Sequence, residues 1–200
     1  MGLGRPVFGP LRPPTDKDLR VLAWQLGRPP RGVLGVKPCI YGFPQVILNH
    51  PLLSPPPLLP AENGDWQGKR EPMPTLFWLT CPFLVAEVSK LESAGAVKRY
   101  ERLLAEDEEL LRAYAQAHEA YKRARLSLLS PGELAWAKAQ GMDSLLSAGI
   151  AGISNPRRVK CLHAHLAHFL IAEQNPIGAL AAKELKALFC PDRRCAKALL

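Results

Sequence analysis

Thr75-Leu76-Phe77-Trp78-Leu79-Thr80-Cys81-Pro82 is the stretch at which the hydrophobic pattern of the chain changes. Residues 75–80 are apolar, aromatic and β-branched, which predicts a buried strand. Pro82 suits the first position of a helix, so Cys81 would lie at the helix N-terminus. Free backbone amides and the helix dipole at such a position favour the thiolate form that binds metals. The stretch therefore predicts a strand that leads directly into a helix, with a potential metal ligand at the junction.

The chain before this stretch predicts one helix and one hairpin. Thr15 is a suitable N-cap, and Gly27 ends the apolar pattern that follows it. Residues 33–40 and 45–48 are typical of short strands, and Cys39 lies at the mouth of the hairpin that they would form. The turn between them is Tyr41-Gly42-Phe43-Pro44.

The chain after Pro82 shows the 3.6-residue period of amphipathic helices. The period is interrupted near Glu106-Asp107, and Ser130-Pro131-Gly132-Glu133 is typical of a capping-box start. We therefore predict an α+β fold, in which a small antiparallel sheet in the N-terminal half packs against a mainly helical C-terminal half. Residues 1–200 are predicted to form a single domain, with a Pro-rich loop or arm at residues 51–74 and a basic tail at residues 190–200.

Composition restricts the class of protein. The net charge of +8 and the pI of about 9.4 favour an anionic partner, such as RNA or a small anionic substrate. Five dispersed cysteines do not make a secreted disulfide scaffold, and their number is odd. No apolar run reaches the length of a transmembrane helix, and the N-terminus lacks the apolar core of a secretion signal. We expect a cytoplasmic protein without a membrane partner.

Cysteine and histidine form the main candidate site. A helical period would place Cys161, His165 and His168 on one face, with His163 pointing elsewhere. If Cys39 and Cys81 converge on this face, three thiolates could hold an iron–sulfur cluster with one open iron, or one histidine could complete a tetrahedral zinc site. For each residue alone, a buried cysteine or a hydrogen-bonded core histidine is the better explanation, and only their combination favours a metal site.

A second candidate site precedes these histidines. Residues 147–160 contain Gly149 and Gly152, followed by a possible N-cap at Asn155 and a proline suited to position N1. Free amides at such a helix start would bind phosphate or carboxylate. The pattern is neither a P-loop nor a dinucleotide fingerprint, and a plain glycine hinge explains it as well. The basic side chains beside it are Arg157, Arg158 and Lys160.

Four motifs carry a resemblance to a known family. They are Cys39-x-x-Gly42-x-Pro44, the stretch Pro74 to Pro82, Val159-Lys160-Cys161-Leu162-His163-Ala164-His165, and Asn175-Pro176-Ile177-Gly178. In this order they resemble the bacterial domain-of-unknown-function family 501, over about residues 28–178. The resemblance implies a cytoplasmic bacterial protein whose relatives carry cysteine at the positions of Cys39, Cys81 and Cys161. It implies no particular activity.

Two functional hypotheses follow. The first is a metal or iron–sulfur protein that uses Cys39, Cys81 and Cys161, and that could be an enzyme acting on a small anionic or nucleotide-like substrate. The alternative is a basic module with structural cysteines that binds RNA or another acidic partner. Cys190 and Cys195, in Cys-Pro-Asp-Arg-Arg-Cys, are accessory in either hypothesis.

Overall fold

The computed structural model describes residues 9, 11–53 and 70–200. The strands are β1 (Val33–Pro38), β2 (Pro44–Asn49), β3 (Leu52–Leu53), β4 (Glu71–Pro72) and β5 (Phe77–Leu79). The helices are α1 (Asp16–Leu26), α2 (Pro82–Ser93), α3 (Ala96–Glu106), α4 (Glu108–Ser127), α5 (Pro131–Ala139), α6 (Asp143–Ser147), α7 (Leu162–Ala172) and α8 (Pro176–Glu184). Two short 3₁₀ helices span Ile150–Gly152 and Arg194–Leu199.

The predicted hairpin and the predicted strand before Pro82 form one antiparallel sheet. Its order is β1-β2-β5, so β2 is the central strand, and every residue of β2 is buried. Pro38 pairs with Pro44 and Leu79 pairs with Val46, which brings the end of β1 and the end of β5 to the start of β2. Cys39 and Cys81 follow these two strand ends.

The sheet packs on the helical half of the chain. Val46 and Leu48 of β2 share a buried cluster with Ala167 and Ile171 of α7. A second cluster joins α2, α3, α4, α7 and α8. The predicted α+β class is therefore confirmed, with α7 as the helix that contacts both the sheet and the other helices.

Both ends of the described chain pack together. Thr15 and Asp18 form a capping box at the start of α1, and Asp18 is also paired with Arg12. The 3₁₀ helix Arg194–Leu199 packs against α1, and Cys195 is buried there. The predicted basic tail thus contains a helix that packs against α1.

The Pro-rich arm predicted at residues 51–74 lies largely outside the described residues. At its two described ends, Leu52 pairs with Pro72 and Leu53 pairs with Glu71, which closes a short antiparallel ladder. The arm therefore begins and ends at one place, beside the start of the stretch that leads to β5.

Candidate functional site

The close packing of α2 and α7 brings three potential ligands together. Cys161 is the N-cap of α7, His163 lies in the first turn of α7, and Glu92 lies in the last turn of α2. The amide of Leu162 donates to Glu92 Oε1 over 2.6 Å, so the carboxylate of one helix caps the other. This contact fixes Glu92 beside Cys161, because a free amide at a helix start needs an acceptor.

Hydrogen bonds determine which nitrogen of His163 carries the proton. His163 Nε2 lies 3.1 Å from the carbonyl oxygen of Val85 and 3.2 Å from Ser89 Oγ, whose own hydrogen is donated to Val85 O. Both oxygens therefore accept, so Nε2 carries the hydrogen and Nδ1 of the neutral ring presents its lone pair. Nδ1 lies 3.6 Å from Cys161 Sγ and 3.4 Å from Glu92 Oε1.

These distances match those around a tetrahedral zinc ion. Bonds of about 2.3 Å to sulfur and about 2.0–2.1 Å to nitrogen or oxygen place N and S about 3.6 Å apart, and N and O about 3.3 Å apart. The three ligand atoms lie within 4.8 Å of one another. Among the described residues, no other set of three or more His, Cys, Asp or Glu side chains does so.

The same contacts change the pKa values of the thiol and the imidazole. Burial raises the pKa of Cys161, but a hydrogen bond from Nδ1 of the protonated His163 ring and one from the backbone of Ala164 bring it below its ordinary value. The hydrogen bond with Cys161 raises the pKa of His163. Cys161 is also exposed, unlike the other four cysteines.

His165 and His168 do lie on one face of α7, as predicted, and that face is inside the core. Asn175 Nδ2 lies 3.1 Å from Nδ1 of His165 and 3.3 Å from Nδ1 of His168. His165 Nε2 contacts the hydroxyl of Tyr114 at 3.1 Å, and this hydroxyl lies 3.2 Å from the carbonyl oxygen of Arg158. Both nitrogens of His165 therefore have protein partners, which leaves no lone pair for a metal ion.

The predicted metal ligands are divided among three places. Cys161 joins Glu92 and His163, and His165 and His168 join Asn175. Cys39 and Cys81 lie at the start of β2. Convergence of Cys39, Cys81 and Cys161 on one site, with His165 or His168 beside it, stays a prediction, and these positions favour separate sites.

Cys190 and Cys195 join Cys39 and Cys81 at the start of β2. Burial first, and then the nearby thiols of Cys81, Cys190 and Cys39, raise the pKa of Cys195 to about 11, although the hydrogen bond from Gln25 lowers it. Burial also raises the pKa of Cys81 despite backbone hydrogen bonds from Leu84 and Phe83, and Cys190 and Cys39 add to the increase. Cys39, Cys190 and Cys195 thus lie in the neighbourhood of Cys81.

The predicted helix start at Asn155 is wrong, because α7 begins at Leu162. Asn155 Oδ1 accepts from the amide of Arg157 in a local turn, and the amide of Val159 donates to Glu101. These contacts hold the buried Val159 in the irregular segment before the helix.

Two of the backbone amides that were predicted to bind an anion donate instead to carbonyl oxygens of the same loop. The Gly149 amide donates to Ile153 O, and the Gly152 amide donates to Gly149 O. Arg158 pairs with Glu101 at 3.0 Å, whereas Lys160 is exposed and has no ion pair among the described residues. Anion binding or RNA binding at this loop stays a prediction.

Sequence reasoning missed Glu92, His163 and the two C-terminal cysteines as site residues. A helical period from Cys161 predicts that His163 points away, but Cys161 precedes the helix and its side chain does not follow that period. Nothing local distinguishes Glu92 from the other acidic residues. Its position depends on the packing of α2 against α7.

A sequence comparison determines the family. The model of the family described as Protein of unknown function (DUF501) matches residues 36–183. The chain belongs to this family. Glu92, Cys161 and His163 all lie within the matched residues, whereas Cys190 and Cys195 follow them. No curated protein and no solved structure gives a significant match. No helix among the described residues is long and apolar enough to cross a membrane.

Proposed function

We propose that the protein binds one zinc-type metal ion through Glu92 Oε1, Cys161 Sγ and His163 Nδ1. The supporting observation is the hydrogen bond of His163 Nε2 to Val85 O, because it turns the lone pair of Nδ1 toward the other two ligands. Three protein ligands and one open position are typical of catalytic zinc, whereas structural zinc has four. The expected chemistry is therefore that of an accessible ion.

The surroundings of this ion favour an anionic substrate. Cys161 is exposed, so a water molecule or a substrate atom can approach the fourth coordination position. Lys160 directly precedes Cys161, and the side chain of Arg158 is 69% exposed. A bound ion would polarise a carbonyl or phosphoryl oxygen or lower the pKa of a bound water, and the basic side chains would attract a small anionic or nucleotide-like molecule.

The proposal differs from the iron–sulfur hypothesis in its ligands. An open cubane cluster requires three thiolates, but Cys161 has a carboxylate and an imidazole as its nearest potential ligands. One thiolate, one imidazole and one carboxylate suit zinc or another divalent ion of the first transition row.

Protection of Cys161 from alkylation tests the proposal at the site itself. Full-length protein is alkylated with iodoacetamide at increasing zinc concentration, and peptide mass spectrometry follows Cys161 alone. We expect His163→Ala to raise the zinc concentration needed to protect Cys161 by more than about 100-fold. Loss of a residue that only hydrogen-bonds to a metal ligand already lowers metal affinity by about 10–100-fold. His50→Ala is the matched control, because His50 contacts Leu52 and Glu133 and none of the three proposed ligands. Equal protection in the two variants would overturn the proposal.

A nucleophilic thiolate is the second candidate for the same residues. Cys161 is exposed at a helix N-terminus, and the hydrogen bond with His163 holds its pKa below the ordinary value. This candidate predicts rapid alkylation of Cys161 that zinc does not slow. The zinc titration therefore separates the two candidates, because an ion bound to Sγ blocks the reaction.

A further inference from the structure

We infer that Cys39, Cys81, Cys190 and Cys195 bind a second metal ion, a zinc held by four thiolates at the start of β2. The first evidence is the sheet register. Pro38 pairs with Pro44 on one side of β2, and Leu79 pairs with Val46 on the other. Cys39 follows Pro38 by one residue and Cys81 follows Leu79 by two, so both cysteines leave the sheet at the same end of its central strand.

Backbone hydrogen bonds hold these two cysteines in place. The amide of Cys39 donates to Phe43 O over 2.8 Å, and the amide of Gly42 donates to Cys39 O over 2.9 Å, which closes the turn. Gly42 has a φ of 77°, a conformation that favours glycine. The amide of Cys81 donates to the carbonyl of Gln45, the second residue of β2. Both cysteines are thus fixed by β2 and its turn.

Side chains from the same strand and from α1 draw the C-terminal segment to this place. Gln45 Nε2 donates to the carbonyl of Leu188, shortly before Cys190. Gln25 Nε2 donates to Pro44 O over 2.8 Å and lies 3.2 Å from Cys195 Sγ. Cys195 therefore contacts a side chain that also holds the first residue of β2.

Aromatic contacts join the C-terminal segment to both of the other cysteine-bearing elements. The rings of Phe189 and Tyr41 meet edge to face at 6.3 Å, and the guanidinium of Arg193 lies 4.8 Å from the centre of the Tyr41 ring. Arg194 lies 5.5 Å from the centre of the Phe83 ring, in the first turn of α2. The segment from Phe189 to Arg194 is thus held between the turn after Cys39 and the helix after Cys81.

The chemistry of the place suits a tetrathiolate zinc. Cys81, Cys190 and Cys195 are buried, at 4%, 4% and 3% exposure. Four thiolates and one zinc carry a net charge of −2, and the segment between Cys190 and Cys195 carries the cations Arg193 and Arg194, of which Arg194 pairs with Asp192. No three of the four sulfur atoms lie within 4.8 Å of one another, whereas a zinc ion would hold them about 3.8 Å apart. Zinc binding therefore requires side-chain rotation that draws the sulfur atoms together.

Zinc content of full-length Cys161→Ser tests this inference apart from the proposed function, because that variant lacks a ligand of the first site. We expect one zinc per chain, all four remaining thiols protected from alkylation, and no zinc after Cys190→Ser and Cys195→Ser are added. A folded Cys161→Ser protein without zinc, or zinc that survives the two added changes, would overturn the inference. Iron with sulfide in place of zinc would overturn it as well.

X-ray absorption at the zinc edge identifies the atoms bound to zinc in the Cys161→Ser protein. All four proposed ligands are intact in this protein, so the measurement does not depend on whether the triple variant with Cys190→Ser and Cys195→Ser folds. Four sulfur neighbours at about 2.3 Å are expected. A coordination shell that contains nitrogen or oxygen would overturn the four-thiolate site. The double variant Cys190→Ser with Cys195→Ser should still show zinc protection of Cys161, and loss of that protection would instead count against the proposed function.

Discussion

Cys161 differs from the other four cysteines in exposure and in its hydrogen bonds. It is exposed, Cys39 is half-buried, and the other three are buried. Hydrogen bonds from His163 and Ala164 outweigh burial and hold the pKa of its thiol below the ordinary value. This residue therefore combines access with a larger thiolate fraction near neutral pH.

We predict that, in metal-free protein at pH 7, iodoacetamide alkylates Cys161 before any other cysteine. His163→Ala should slow this reaction, because the pKa of Cys161 rises when the imidazole is removed. Peptide mass spectrometry over a time course gives the five rates. A faster reaction at Cys39 than at Cys161 would contradict the prediction.

Asn175 stabilises the protein through a helix cap and two histidines. Its Oδ1 accepts from the amide of Gly178, and its Nδ2 contacts Nδ1 of both His165 and His168. Asn175→Ala should lower the free energy of unfolding by about 2–4 kcal/mol, from a lost cap and unsatisfied buried acceptors. Urea unfolding measures the change. Asn155→Ala is the control, because the exposed Asn155 makes only a local turn and should cost less than about 1 kcal/mol.

At the scale of elements, α4 and α7 bury three histidines in the neutral form. Burial lowers the pKa of His118 to about 4, that of His165 to about 3 and that of His168 to about 4. Neighbouring charges contribute to these shifts. Lys122 lowers the pKa of His118, and the nearby histidines lower the pKa of His165 and of His168. An unfolded histidine has a pKa of about 6.5, so only the unfolded chain takes up these protons just below that pH.

We therefore predict that stability is unaffected by these three groups above about pH 6.5 and falls as the pH decreases toward 4. Each histidine contributes a slope of up to about 1.4 kcal/mol per pH unit in this window. NMR titration of the imidazole signals and urea midpoints at pH 7, 6 and 5 measure the effect. Titration of His118, His165 and His168 near pH 6.5, or a constant urea midpoint, would contradict it.

Elements that depend on local chemistry were predictable from the sequence. The capping boxes at Thr15 and Ser130 and the proline at position 82 form the predicted helix starts. The start of α7 was not predictable in this way. Asn155 has the residue type of a cap, but carboxylates from two other helices, Glu101 and Glu92, accept from the amides of Val159 and Leu162 and determine the local structure.

The candidate site shows the same contrast between local sequence signals and contacts distant in sequence. Cysteine at positions 39, 81 and 161 indicated metal binding, but the partners of each thiol depend on contacts distant in sequence. Glu92 and Cys161 are brought together by the packing of α2 on α7. Cys195 reaches the start of β2 through Gln25, which is 170 residues away along the chain.

For the whole molecule, a zinc ion at the four cysteines would fasten the C-terminal segment to the sheet. We predict that removal of zinc by a chelator speeds tryptic cleavage after Arg193 and Arg194, because proteolysis requires local opening. Cys195→Ser should be cleaved at this faster rate with or without zinc, and His163→Ala should respond to zinc as the natural sequence does. Cleavage that is independent of zinc in the natural sequence would contradict the prediction.

Anomalous diffraction at the zinc edge can show directly whether Glu92, Cys161 and His163 bind one metal ion. In a crystal of the full-length protein grown with zinc, we expect an anomalous peak about 2.3 Å from Cys161 Sγ and about 2.0–2.1 Å from both His163 Nδ1 and a Glu92 carboxylate oxygen. A crystal whose anomalous map shows zinc elsewhere and no peak between these three atoms would contradict it.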